Sequence, residues 1–279
     1  MKRVFTNASQ VIHLFANKAQ SDARTGNVFF ENENIYSYGY HYKLAEHLKG
    51  GAMLINDRGY SVTTSKHISA MADASRHLTR FYLTDVILSD AVSFVRSNVT
   101  KLPRARQSKL RLISSVLRKI RKLEEFQDYV KRNKIDRLTI GNNQNRKVLI
   151  DKRSSEYKYL QRVKNNLINN FDAFISDIKE EKDKDRKKEI SNFYKYKSNR
   201  ISNLKNERLR VSICGQYVET SQKVKIDINE AKALLYLIKI GSSVKGKKIG
   251  YYKITNYNGK VLNIGCHSIL QGEINKLKF

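Results

Sequence analysis

Apolar and polar positions change period twice along the chain. In "NVFFENENIYSYGYHYKL" they alternate on both sides of Glu31–Asn34, which predicts two strands joined by a turn. "AMLINDRGYSV" predicts a further hairpin around Asp57-Arg58-Gly59. Before these strands, Val11, Ile12, Leu14 and Phe15 follow the candidate caps Thr6 and Asn7, so this stretch is expected to be a helix. After them, "TTSKHISAMADASRHL" predicts a helix capped by Thr63 or Thr64, then a short strand at "FYL" and a helix over 85–99.

From residue 104 the period lengthens. Leu110, Ile113, Leu117 and Ile120 are spaced three and four apart, and Leu123, Phe126 and Val130 continue the stripe to about residue 133. Tyr157, Leu160, Val163, Leu167, Phe171, Phe174 and Ile178 repeat it over 154–200. Between the two stripes, "RLTIGNNQNRKVLID" predicts a small β-hairpin within 137–151, turning at Gly141-Asn142-Asn143. Gly141 is the only glycine between Tyr60 and Cys214, and Pro103 is the only proline in the chain. A long stretch with so few breakers is expected to be mostly helix. Two amphipathic helices with a short connection fold back on one another. Alternation returns after residue 208, with strands in "RLRVSICGQYVET", a helix over 228–240, a hairpin about Asn258-Gly259 and a last short helix in "LQGEINKL".

The pattern therefore predicts an α+β chain. Residues 1–100 and 208–279 form two small β-rich end units, and 101–207 form a long antiparallel helical arm between them. The two ends also echo one another. "IYSYGYH" at 35–41 and "VLNIGCH" at 261–267 both end in Gly-x-His, and "SVTTSKH" at 61–67 resembles "YVETSQK" at 217–223. The order of the paired elements is reversed between the ends, so a permuted duplication is one reading and chance is the other.

Charge changes the picture most. The chain of 279 residues carries 54 Lys+Arg against 26 Asp+Glu, a formal charge of +28. Residues 101–210 hold 32 of the bases and 14 of the acids, which leaves +18 on well under half of the length. So large an excess opposes compaction unless a polyanion neutralises it, which points to DNA or RNA as the partner. A host protein is the alternative, because a basic arm can also occupy the nucleic-acid channel of another protein. The bases most exposed to this role are Arg104, Arg106, Lys109, Arg111, Arg118, Lys119, Arg121 and Lys122. Two cysteines, Cys214 and Cys266, make neither a disulfide framework nor a Cys-rich zinc site. No stretch approaches the roughly 20 apolar residues that cross a bilayer, and the N-terminal stretch lacks an apolar leader. These features point to a reducing cytoplasm, without membrane, metal or cofactor.

The stretches "HLFANKAQSDARTGNVFFENENIYSYGYHYKLAEHL", "LINDRGYSVTTSKHIS", "VETSQKVKI", "IGYYKI" and "IGCH" resemble a group of mostly uncharacterised bacteriophage-encoded proteins. The resemblance lies at the two ends of the chain and leaves out the helical middle. It implies a phage origin, and with it the cytoplasm of the infected host cell. It carries no activity and no catalytic residue.

Local chemistry is sparse. His41 and His267 are candidate acid–base residues, and a nuclease built on them is one reading; the other is that glycine permits a tight exit from a strand and the histidine hydrogen-bonds at the sheet end. "YYKI" before "IGCH" follows the order of elements in GIY-YIG nucleases, but the Gly-Ile-Tyr spelling is absent and Glu273 has only six residues after it. Thr64, Ser65 and Lys66 are a candidate phosphate site at a helix start, or simply its cap. Tyr36, Tyr38, Tyr40 and Tyr42 alternate, so on one strand they would share a face, either a stacking platform for bases or a wall of the core. No phosphate-binding glycine loop, dinucleotide fingerprint or nucleophile elbow is present. The most concrete expectation is a non-catalytic nucleic-acid-binding protein held mainly by phosphate contacts. An inhibitor of a host nucleic-acid-handling or defence enzyme, a nuclease and a virion-internal protein stand as alternatives.

Overall fold

A computed structural model describes residues 2–140, 144–202 and 204–279. The fold is α+β and divides into two compact units, residues 1–178 and 179–279.

The first unit begins with α1 (Ala8–Ala16), capped by the Asn7 side chain, which accepts from Ser9 N. Five strands follow: β1 (Asp22–Arg24), β2 (Val28–Glu31), β3 (Asn34–Ser37), β4 (Lys43–His47) and β5 (Met53–Ile55). Helix α2 (Val62–Ala74) then leads to β6 (Arg80–Tyr82), which pairs with β5 in parallel. The six strands form one sheet in sequence order, with the remaining neighbours antiparallel. Asn32 at φ 51 makes the expected turn between β2 and β3. The hairpin expected at Asp57-Arg58-Gly59 is absent. Those residues instead form an extended connection from β5 to α2, because the Asp57 carboxylate is turned away to receive the N–H and hydroxyl of Thr84.

Alternation along β5 shows why both faces of this sheet are covered. Met53 and Ile55 pack with α1 and α2 against Phe15, Phe30 and Met71. Ala52 and Leu54 face the other way and pack with Phe126 and Val130. These last two belong to α5 (Lys109–Arg132), which follows α3 (Leu83–Val86), α4 (Leu88–Val99) and a single 3-10 turn at Leu102–Arg104. The expected hairpin is present as β7 (Arg137–Ile140) and β8 (Gln144–Lys147), paired antiparallel; its turn, Gly141-Asn142-Asn143, lies outside the described residues. The second stripe becomes two helices, α6 (Ser155–Asn169) and α7 (Phe171–Tyr194).

The expected arm is thus partly embedded. Its helices do run back along one another, with Glu124 of α5 bound to Lys164 of α6 and Lys109 near Phe171. However, the C-terminal half of α5 is roofed by the sheet, and Val116, Ile120 and Leu123 share a core with α4, α6 and the start of α7. Residue 100 is therefore not a packing boundary. The stripe supplies more apolar surface than one partner helix can cover, and the sheet takes the rest.

The second unit contains β9 (Leu209–Val211), β10 (Tyr217–Thr220) and β11 (Lys225–Asp227) in one antiparallel sheet. Helix α8 (Ile228–Lys239) is capped by Asp227. A second sheet follows, with β12 (Lys248–Ile249), β13 (Tyr252–Tyr257), β14 (Val261–Ile264) and β15 (His267–Leu270) each antiparallel to the next. The last helix is α9 (Gln271–Ile274). The two sheets and α8 enclose one core around Leu234, Ile254, Leu262 and Ile269.

The echo between the ends does not extend to the structure. Thr63, Thr64 and Ser65 lie inside α2, whereas Thr220 and Ser221 begin the turn between β10 and β11. One end has a single six-stranded sheet and the other has sheets of three and four strands. "NIGCH" is the end of β14 together with the hairpin turn that leaves it: Gly265 at φ 56 and Cys266 link β14 to β15, and Ile264 pairs with His267.

Candidate nucleic-acid interface

The eight cationic candidates separate according to the way α5 is packed. Arg104 and Arg106 precede the helix, Arg111 and Arg118 lie on it two turns apart, and all four are exposed. Two turns place Arg111 and Arg118 on the same face, about 10 Å apart along the axis. Within the described residues, the ion pairs of α5 cations involve Lys119, Lys122 and Arg121 and leave these four arginines without a carboxylate.

The start of α5 is unusual for a helix of 24 residues. No acidic residue lies in its first turn, and Ser108 at the cap position makes no side-chain hydrogen bond to the helix. The first N–H groups of a helix have no intrahelical acceptor, and the positive end of the macrodipole favours anions there. Lys109 and Arg111 in that first turn work against helix stability by about 0.3–1 kcal/mol each. Together with Arg104 and Arg106 they make an uncapped, cationic helix start, which is a favourable environment for phosphate.

The other candidates are engaged elsewhere. Lys119 is buried, and its ammonium donates to Thr84 O and to Asp85 Oδ1, each at 2.7 Å. Lys122 donates to the other oxygen of Asp85, also at 2.7 Å. Burial pushes the Asp85 carboxyl up, but the two ammonium groups outweigh it and hold it below the usual carboxylate range. Lys119 is therefore part of the structure of this unit and is corrected as a surface contact. Arg121 pairs with Glu125 at 3.5 Å, an exposed contact of little energy. Lys109 stands over the Phe171 ring at 5.3 Å. Beside α5 opens a cleft of about 580 Å³ whose lining includes Asp85, Asp90, Phe94, Arg118, Lys119 and Lys122. Asp85 shares two lysines and Asp90 is paired with Arg58, so this cleft keeps an excess of positive charge to which Arg118 adds one unpaired group.

The start of α2 shows the opposite arrangement. Ser61, not Thr63 or Thr64, is the cap, and its hydroxyl accepts from Thr64 N at 3.1 Å. Thr64 is buried with its hydroxyl against Ser61 Oγ, and Ser65 donates to Ser61 O. Only Lys66 is left at the surface without a hydrogen bond of this kind. The Ser61 side chain thus takes one N–H of this helix start, and the Thr64 and Ser65 hydroxyls are themselves engaged with Ser61.

The tyrosines do not share one face either. The strand ends at Ser37, and Tyr38 takes φ 60. Tyr36 stacks on Phe29 at 5.2 Å, and Tyr40 meets both rings edge-on at 4.9 and 5.0 Å. The Tyr40 hydroxyl donates to Glu31 at 2.6 Å. Burial first, and then Glu31 and Glu46, raise the Tyr36 hydroxyl pKa. A ring cluster bordered by two carboxylates is a poor seat for phosphates. Tyr38 turns toward His67, and Tyr42 is buried, donating to Arg58 O, with burial and Asp57 pushing its hydroxyl to about 12.

Each candidate histidine has a local explanation. His41 is exposed in the turn between β3 and β4, and a Cβ at Gly39 would come within 3.1 Å of its Nδ1. His267 sits on β15 with Nδ1 bonded to the buried Glu207 carboxylate and its ring edge-on to Tyr252 at 5.0 Å. Its Nε2 lies 3.7 Å from Cys266 Sγ. Cys266 is exposed in the hairpin turn, and Cys214 is also an exposed free thiol.

Sequence reasoning missed Asp85 and Glu207, two single acids whose partners are 34 and 60 residues distant. No helix among the described residues is long and apolar enough to cross a membrane. No protein-family model, curated protein or solved structure matches this chain, so its function has to be read from its own residues.

Proposed function

We propose that this chain is a non-catalytic nucleic-acid-binding protein of bacteriophage origin, working in the cytoplasm of the infected cell. The observation that carries the reading is the N-terminal half of α5: an uncapped helix start, with Arg104, Arg106, Arg111 and Arg118 exposed and unpaired among the described residues. Acids appear only further along the helix, at Glu124, Glu125 and Asp128. That order opposes the macrodipole and is costly to the helix. A phosphate backbone reverses the cost, because it brings negative charge to the positive end. Contacts of this kind position a protein on nucleic acid without reading bases, so the binding is weakly sequence-specific.

The test is direct. Protein freed of bound nucleic acid is titrated into labelled duplex DNA, single-stranded DNA and RNA, followed by fluorescence anisotropy at low salt. Binding to at least one, weakened in the variant with all four arginines replaced by alanine, supports the reading. Absence of binding to all three overturns it.

A further inference from the structure

The turn between β12 and β13 breaks two rules of hairpin design at once. Its two turn residues are Gly250 and Tyr251, between the pairs Ile249↔Tyr252 and Lys248↔Lys253. Gly250 is required. Its φ is 52, its N–H donates to Glu230 Oε2 at 2.6 Å, and an added Cβ would meet Ile226 at 2.9 Å. Tyr251 has no such reason. Two-residue turns favour Gly, Asn, Asp or Ser, and the Tyr251 side chain is 101% exposed, so it gains nothing from burial.

The flanking charges are equally unhelpful to the fold. Lys248 and Lys253 stand directly opposite one another, a like-charge pair that destabilises a ladder. Lys245 and Lys247 add to the same exposed segment. No ion pair engages these four lysines among the described residues. Glu230 accepts the Gly250 N–H and brings one negative charge to the turn against these four lysines. Local choices that oppose the fold without a compensating contact are expected at functional positions.

We propose that the β12–β13 hairpin is a binding site for single-stranded nucleic acid, with the Tyr251 ring stacking on one base and Lys245, Lys247, Lys248 and Lys253 receiving the adjoining phosphates. An aromatic ring at a hairpin tip needs an open base face, which a single strand presents and a duplex covers. The lysines supply the charge that follows the backbone. This inference rests on the nucleic-acid reading above and adds to it a strand preference and a second contact surface, within the second unit.

The chain has no tryptophan, so Tyr251→Trp introduces a unique fluorophore. Its emission is titrated with a single-stranded oligonucleotide and with the corresponding blunt duplex, while anisotropy of the labelled nucleic acid reports binding separately. The expected result is quenching by the single strand and not by the duplex. Tyr251→Ala is expected to weaken single-strand binding about tenfold and Tyr251→Phe to restore it, in keeping with stacking contributions per base. Binding by anisotropy with unchanged tryptophan emission, and equal affinity in Tyr251→Ala, overturns the stacking site and leaves the arginine reading intact. Equal quenching by the duplex overturns the single-strand assignment. No anisotropy change with either nucleic acid overturns the nucleic-acid reading itself, and this inference with it.

Discussion

Arg118 and Lys119 are neighbours on one helix and carry the same charge, yet the structure gives them opposite roles. Arg118 is exposed beside a cleft, and Lys119 is buried on Asp85 and Thr84. In Lys119→Met the stem is kept and two hydrogen bonds of a charged donor are lost. Such bonds contribute about 1.5–3 kcal/mol, and Asp85 retains Lys122 as a partner, so the expected loss is about 2 kcal/mol. In a unit of this size that lowers the melting temperature by about 4–8 °C. Asp85→Ala is more severe, because it leaves the buried Lys119 ammonium without a counterion, and the expected loss is about 3–5 kcal/mol. Arg118→Ala leaves stability within about 0.5 kcal/mol of wild type. Binding is expected to show the reverse order: Arg118→Ala lowers the steepness of salt dependence by about one phosphate contact, and Lys119→Met leaves it unchanged below its melting temperature. Urea unfolding and anisotropy on the same three variants separate these effects. Equal loss of stability in Arg118→Ala and Lys119→Met, or loss of salt dependence in Lys119→Met, refutes the assignment.

Other expected outcomes follow from the packing. Phe126 is fully buried and packs edge-on against Phe81 of β6, and Phe126→Ala is expected to destabilise by about 3–5 kcal/mol in urea unfolding; a change below about 1 kcal/mol would show that α5 is not part of this core. Glu273 is 2% exposed and receives Arg208, Lys276 and the Tyr194 hydroxyl, so Glu273→Ala is expected to cost about 2–3 kcal/mol in the second unit through lost hydrogen bonds to a charged group, read as an early transition in circular dichroism. Burial holds the His47 and His67 imidazoles below their usual pKa, with the His47 bond to Phe15 O only partly offsetting it. The unfolded chain therefore takes up protons first as pH falls through about 6.5, and stability drops between pH 7.5 and pH 5.5. A urea midpoint that stays constant over that window contradicts this.

The elements were mostly legible in the sequence because their periods are strong. The stripe through Leu110 and Val130 marked α5, and Asn258-Gly259 marked its hairpin, since both signals are local. What escaped was set by distant partners. The Asp57-Arg58-Gly59 stretch has the spelling of a turn, but the Asp57 carboxylate is bound to Thr84, 27 residues on. The four alternating tyrosines would share a face only if β3 continued past Ser37, and the Tyr38-Gly39 turn ends it. The two helix starts differ in a way their residue types did not show. Thr64 and Ser65 have the residue types of an anion site, yet Ser61 satisfies that start, while Ser108 leaves the start of α5 open. Charge counting found the arginines of α5 and could not distinguish them from Lys119, because burial against Asp85 depends on how α3 and α5 meet.

The measurement that bears most directly on the central claim is the salt dependence of nucleic-acid binding by the intact protein. Four arginine–phosphate contacts predict that log K falls with log salt at a slope of about −3.6 on duplex DNA, and the same arginines with the four hairpin lysines predict about −5.6 on a single strand. Replacing Arg104, Arg106, Arg111 and Arg118 by alanine is predicted to bring the duplex slope most of the way to zero and to halve the single-strand slope. A wild-type slope near zero, or a slope unchanged by the four substitutions, would contradict the account.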